Sequence, residues 1–289
     1  MLRLMPNRLP SLLALGTLLF ALSAWASPEE VRFNSLDGTL LKAWVFQPKD
    51  SARRGTVVAL HGCGGLYSSA GQRKDQLSGR HQAMAQLLVA NGYGVVFPDS
   101  LMPRGETELC SQKIGSRKIS QTERRADALA ALAWVNAQPW ARRETGEAPI
   151  ALLGWSHGGS AALAATDATR ADVREQAQQP VVAIAFYPGC GVPLKSNYRP
   201  IAPLVLMLGE LDDWTPPGPC IALGKAAGAE VNLYPGSYHG FDSPLGEVRL
   251  RTDVPNGVNP GRGVHVGPNP AAHEQAEFRL LEVLRTAMK

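Results

Sequence analysis

The sequence predicts an α/β protein with a mostly parallel central sheet covered by helices on both faces. Two observations carry that prediction. Short apolar or β-branched runs alternate with helix-compatible stretches along most of the chain, which is the order of a parallel sheet built by crossovers. In addition, the apolar run Ile150-Ala151-Leu152-Leu153 runs straight into Gly154-Trp155-Ser156-His157-Gly158. That reads as a buried strand turning abruptly into a helix, with small residues flanking a serine lifted to the apex of the turn.

The elements follow in order. Alternating segments from Val31 to Phe46 flank Asp37-Gly38, a dipeptide suited to a tight turn, and predict an antiparallel entry to the sheet. Thr56 to Leu60 is a strand feeding the glycine-rich loop His61-Gly62-Cys63-Gly64-Gly65, and Met84, Leu87, Leu88 and Asn91 share a helical face that Gly92 closes. Gly94 to Phe97 begins the next strand, which ends at Asp99. Ser120-Gln121-Thr122-Glu123 is a capping box that starts a helix through Ala133. After the serine's own helix come strands at 181–186, 204–208 and 230–234, with a helix around 220–227 between the last two. Asn269 and Pro270 cap a final helix carrying Leu280, Leu281, Leu284 and Met288 on one side. Residues 243–268, rich in Gly and Pro, are too long for an ordinary connection and are expected to form a functional loop or a cover over the sheet edge.

The N-terminus carries Arg3 and Arg8, an apolar stretch from Leu9 to Ser23, and Ala24-Trp25-Ala26, which together predict a secretory signal peptide over 1–26. A single domain over 27–289 and a secreted or periplasmic location are therefore expected, with no stable membrane anchor. Without Arg3 and Arg8 the 29 basic residues fall to 27 against 25 acidic ones, a balance that argues against nucleic acid as a partner. The spacing of residues suggests no metal site, and no organic cofactor is expected. Four cysteines in an exported chain imply disulfides. Cys63 with Cys110 and Cys190 with Cys220 are the expected pairs, because each pair sits on loops that follow neighbouring strands.

A serine hydroxyl is a poor nucleophile until a base takes its proton, and that base must be held by an acid. Asp212 lies just past one predicted strand and His239 just past the next, so Ser156, Asp212 and His239 occur in the order of an α/β-hydrolase triad. Asp213 competes with Asp212 for the acid's place, and Asp99 is a more distant candidate. Backbone N–H groups of His157, at the helix start, and of Cys63, in the glycine-rich loop, are the expected donors to an oxyanion. Arg104, Trp155 and Trp214 are candidates for substrate binding. His81, His265 and His273 read as surface residues.

His61 to Gly65, Gly154 to Gly159, Gly209-Glu210-Leu211-Asp212-Asp213-Trp214-Thr215-Pro216 and Tyr234 to Phe241 together resemble the dienelactone hydrolase family of α/β-hydrolases. The dienelactone hydrolases proper carry cysteine where this chain has Ser156. The resemblance implies hydrolysis of a small carboxylic ester or lactone through an acyl-enzyme. Two other readings stand beside it: a serine peptidase resembling the catalytic domain of prolyl oligopeptidases, and a binding protein that keeps the fold without turnover.

Overall fold

The computed structural model describes residues 28–49, 54–69, 76–146 and 149–289. The expected signal peptide and its cleavage point lie outside the described residues. Eight strands form one sheet: β1 (Glu29–Asn34), β2 (Leu40–Phe46), β3 (Gly55–Leu60), β4 (Tyr93–Asp99), β5 (Ile150–Trp155), β6 (Val182–Phe186), β7 (Leu204–Gly209) and β8 (Glu230–Tyr234). Their spatial order is β1-β2-β4-β3-β5-β6-β7-β8. The first two pairings, β1 with β2 and β2 with β4, are antiparallel, and every pairing from β3 to β8 is parallel.

Burial of the central strands on both faces explains their unbroken apolar composition. On β3, Val58 and Leu60 pack to one side with Leu129 and Leu132 of α2 (Gln121–Ala137) and Leu163 of α3 (His157–Ala165). Val57 and Ala59 pack to the other with Met84 and Leu88 of α1 (Gly79–Ala90). The second layer is completed on that side by Leu280 and Leu284 of the C-terminal helix (Pro270–Ala287). The predicted capping box is present at α2: Ser120 Oγ accepts from the Thr122 N–H at 3.1 Å, and Glu123 accepts from the Ser120 N–H at 2.7 Å.

The strand order reverses at β3, whose two sheet neighbours, β4 and β5, both follow it in the chain. A crevice opens at the carboxyl ends of strands where such a reversal occurs. Register places Leu60 opposite Gly154, so the loop after β3 and the turn after β5 emerge side by side. This is the point on the sheet edge where the sequence put its serine and its glycine-rich loop.

Between α3 and the C-terminal helix lie α4 (Ala171–Arg174), α5 (Gly191–Lys195) and α6 (Pro217–Ala227), which makes the C-terminal helix α7. Disulfides join Cys63 to Cys110 and Cys190 to Cys220, the two expected pairs. Residues 243–268 contain a two-stranded antiparallel ribbon, β9 (Arg249–Arg251) with β10 (Val264–Val266), which packs over the end of the sheet through a bridge between His239 and Val266. No helix among the described residues is long and apolar enough to cross a membrane.

Candidate active site

Ser156 sits between β5 and α3 with φ 51° and ψ −116°, a conformation rare for a residue with a side chain. The flanking glycines explain how the turn is tolerated. A Cβ on Gly154 would lie 2.2 Å from the Gly158 carbonyl oxygen, and one on Gly158 would lie 2.0 Å from that of Leu60. The helix start is therefore pressed against both its own strand and β3, and the two glycines are demanded by close backbone approach. The Ser156 N–H donates to the Phe186 carbonyl at 2.9 Å, which ties the elbow to β6.

Asp212 follows β7 and His239 follows β8, and the two meet: His239 Nδ1 lies 2.8 Å from Asp212 Oδ2, with both side chains buried. The other carboxylate oxygen, Oδ1, accepts from the backbone N–H groups of Trp214 and Thr215 at 2.9 and 2.8 Å, which fixes the carboxylate. The Thr215 hydroxyl lies 3.0 Å from Asp212 Oδ2 and 3.1 Å from His239 Nδ1, and donates to the Tyr187 carbonyl at 3.0 Å. The imidazole is flanked by the rings of Tyr187 and Trp214, with centroids at 4.4 and 4.6 Å. With Nδ1 engaged by the carboxylate, Nε2 is the nitrogen left to handle a proton.

Asp213 turns away from this pair. Its carboxylate accepts from the His265 backbone N–H at 2.8 Å and meets His265 Nδ1 at 2.7 Å, and its carbonyl accepts from the Val258 N–H at 2.8 Å. Asp99 organises its own loop, Oδ1 accepting from the Leu101 and Met102 N–H groups at 3.0 and 3.1 Å.

Ser156 and His239 line a cleft of about 540 Å³ together with Gly62, Cys63, Trp155, Trp214 and the β9–β10 ribbon. A second cleft, of about 790 Å³, also reaches Ser156 and is lined by His157, Leu163, Tyr198, Val192 and Trp214. Cys63 lies on both, held by its bond to Cys110 and by the Leu109 N–H donating to its carbonyl at 2.7 Å. His157 is the first residue of α3, where a backbone N–H has no acceptor within the helix. Thus the loop carrying Cys63 and the helix start carrying His157 both border Ser156.

His61 is buried, its Nδ1–H donating to the Gly62 carbonyl at 2.8 Å while Nε2 accepts from the Ser100 N–H at 3.2 Å. Burial, reinforced by the Arg124 charge, holds the pKa values of His61 and His157 well below the usual imidazole range. His81 is not the surface residue the sequence suggested: it is buried among Phe97, Trp155 and the Leu66 carbonyl. The apolar spacing of α1 hid this, because a histidine on the inner face of a helix has no sequence mark of its own.

Arg104 is likewise corrected as a substrate contact. Its guanidinium makes a bidentate pair with Asp127 at 2.8 and 2.9 Å, and also donates to Asp37 at 2.7 Å and to the Ser100 carbonyl at 2.8 Å. That leaves it committed to the fold. Trp155 is buried under the cleft, with Nε1 donating to Asp242 at 2.7 Å. Asp242 also accepts from the Tyr187 hydroxyl at 2.6 Å and is paired with Arg80. This network, joining the residue before Ser156 to the ring that lies tilted against His239, was missed by sequence reasoning, as was the Thr215 bridge.

A serine at a strained strand-to-helix elbow, with an acid–imidazole pair on the next-but-one and following loops, defines an α/β-hydrolase. The dienelactone hydrolase family model matches residues 41–288, and the chain belongs to that family, a family of carboxylic ester hydrolases. Among solved structures, the chain is similar to a dienelactone hydrolase-like promiscuous phosphotriesterase from metagenomic libraries, with 15% identity, 91% of this chain and 99% of that one covered, and a TM-score of 0.64. It is also similar to an esterase of Thermogutta terrifontis (18% identity, 89% and 90% covered, TM-score 0.59) and to the dienelactone hydrolase of Anabaena variabilis (16%, 89% and 97%, 0.54). At these identities the likeness is one of fold. Comparison with curated proteins gives no match.

Proposed function

We propose that the protein is an exported serine esterase in which Ser156, His239 and Asp212 act as a triad on small carboxylic esters or lactones. The observation that carries the reading is the 2.8 Å contact between His239 Nδ1 and Asp212, set in the same cleft as a serine held at positive φ. His239 Nε2 takes the Ser156 proton as Oγ attacks the carbonyl carbon. The resulting oxyanion is received by the N–H groups of Cys63 and His157. Collapse breaks the ester bond, and the leaving alkoxide takes the proton from His239. Water, deprotonated in turn by His239, then releases the acid from Ser156.

Two clefts meeting at Ser156 leave room for a group on each side of the scissile bond of a small ester. No step calls on a metal or an organic cofactor. The test is labelling of the protein by a fluorophosphonate together with hydrolysis of esters and lactones graded in size and charge. Labelling and ester turnover, both lost in Ser156→Ala and both surviving a chelator, are the expected result. A Ser156→Ala variant at the wild-type rate overturns the mechanism, and a preference for peptides promotes the peptidase reading. Export predicts Ser27 at the mature N-terminus by mass spectrometry, and an intact Met1 in a membrane fraction overturns it.

A further inference from the structure

Arg124 is among the most buried side chains in the protein, at 0% exposure, yet it makes no salt bridge among the described residues. Asp127, one turn further along α2, is taken by Arg104. The Arg124 guanidinium instead donates Nη2 to the His61 carbonyl at 2.7 Å and places Nη1 3.4 Å from His157 Nδ1, while its Nε finds no partner among the described residues. A buried cation without a directly paired anion is costly to keep. Asp99 and Asp127 offset it only through their fields.

The position of this cation is informative. His61 precedes Gly62 and Cys63, and His157 is the other element bordering Ser156. Arg124 therefore holds the backbone just before the Cys63 loop and lies against the side chain of His157, so it meets both segments whose N–H groups would face the oxyanion. Gln121, on the same helix, donates to the His157 carbonyl at 3.3 Å, so α2 holds the helix start at a second point. Burial lowers the Arg124 pKa to about 10, which still leaves it charged at neutral pH. His157 stays neutral beside it and so adds no second charge.

We propose that Arg124 is a positioning residue of the oxyanion site, setting the loop 61–65 against the start of α3 and holding a positive charge with no directly paired anion behind them. Its field favours the anionic tetrahedral intermediate over the neutral ester, because only the former carries negative charge at that point. The inference rests on the serine-esterase reading above.

The experiment compares Arg124→Met and Arg124→Lys with wild-type protein that a fluorophosphonate labels. An unlabelled wild type would sink the serine reading itself, whereas a labelled one leaves the Arg124 inference to be judged alone. Hydrolysis of p-nitrophenyl acetate and inhibition by phenylboronic acid, which forms an anionic tetrahedral adduct on serine, are the readouts. In Arg124→Met, kcat should fall roughly 10- to 100-fold, somewhat less than loss of an oxyanion donor itself. KM should change less than about threefold, with boronate affinity falling in step with kcat. Arg124→Lys should recover most of both losses. A folded Arg124→Met with kcat and boronate affinity within threefold of wild type overturns the proposal, as does an Arg124→Lys variant impaired equally.

Should Arg124→Met fail to fold, Asp99→Asn tests the sign of the effect. It removes a carboxylate that offsets Arg124, while Asn Oδ1 can still accept from the Leu101 and Met102 N–H groups. Tighter boronate binding is expected; unchanged or weaker binding in a variant of unaltered Tm overturns the inference.

Discussion

The carboxylate of Asp213 meets His265 twice, at the backbone N–H and at ring Nδ1, 2.8 and 2.7 Å away. Its neighbour Asp212 holds His239 instead. Two consecutive aspartates after β7 thus serve opposite directions, one toward the imidazole that shares the cleft with Ser156 and one toward the ribbon that lines that cleft.

This division makes the two Asn variants unequal. In Asp212→Asn the side chain can still accept the Trp214 and Thr215 N–H groups, but its NH₂ would face His239 Nδ1. The imidazole must then accept at Nδ1 and carry its proton on Nε2, the tautomer that cannot take the serine proton. A loss in kcat on the order of 10⁴ is expected, with Tm little changed. Asp213→Asn should stay within about tenfold of wild type, since that side chain reaches the cleft only through the ribbon. Steady-state kinetics on an activated ester decides it: a larger loss in Asp213→Asn would reassign the acid.

Much of this site is legible in the sequence, and the boundary has a physical cause. Ser156, Asp212 and His239 are marked by glycines that close packing demands and by their places just after apolar runs. The disulfide pairs follow from strand adjacency. Arg80, Asp242, Tyr187 and Arg124 have no such marks. Arg80 lies on α1 and Arg124 on α2, and only the packing of those helices on opposite faces of the sheet brings them to the site, while Tyr187 after β6 and Asp242 after His239 meet only through the folded sheet edge. Arg104 was misread for the same reason: its partner Asp127 lies on a helix 23 residues away, and no local pattern announces the pair.

The two disulfides should differ in what they protect. Each closes a loop, with sequence separations of 47 and 30, which corresponds to about 4 kcal/mol of chain entropy apiece before any native strain. Cys190–Cys220 ties the start of α5 to α6, so replacing both with Ser should lower the urea midpoint while leaving kcat within about threefold. Cys63–Cys110 also fixes the loop bordering Ser156, and its removal should cost kcat as well as stability. Equal kinetic effects from the two double variants would remove the special role given to the Cys63 loop.

Acid should destabilise the fold through its buried histidines. Burial, only partly offset by the hydrogen bond to the Leu66 carbonyl, lowers the His81 pKa from 6.5 to about 4. Between those values the unfolded chain binds the proton and the folded one does not, so stability falls as pH drops from 6.5 toward 4. A shift of that size corresponds to about 3 kcal/mol for His81 alone. His61 and His157, held low by burial, act with the same sign. Urea unfolding at pH 7 and pH 4.5 should show the loss, and His81→Asn should reduce the slope. A His81→Asn variant with the wild-type slope would mean that the ring is not held neutral.

The Asp242 carboxylate gathers the Trp155 indole, the Tyr187 hydroxyl and the Arg80 guanidinium beneath the cleft. Asp242→Ala removes the shared acceptor of three donors at once, one of them charged, and leaves Arg80 with the Tyr187 hydroxyl, Ser243 Oγ at 2.6 Å and the Gly240 carbonyl at 3.5 Å but no anion. A loss of about 3–5 kcal/mol is expected, most of it the cost of the unpaired guanidinium. Activity should fall too, because Trp155 precedes Ser156 and the Tyr187 ring lies against His239. Removing the charge as well should be milder: Arg80→Met combined with Asp242→Leu ought to recover a large part of the stability, since a paired ion contributes little over an apolar replacement of similar volume. The double variant should nonetheless remain impaired in kcat, because the Trp155 and Tyr187 donors still lack their acceptor. Urea denaturation of Arg80→Met, of Asp242→Leu and of their combination measures the coupling. Additive losses would show that Arg80 and Asp242 do not depend on one another, and the network would then have no part in holding the serine and histidine loops together.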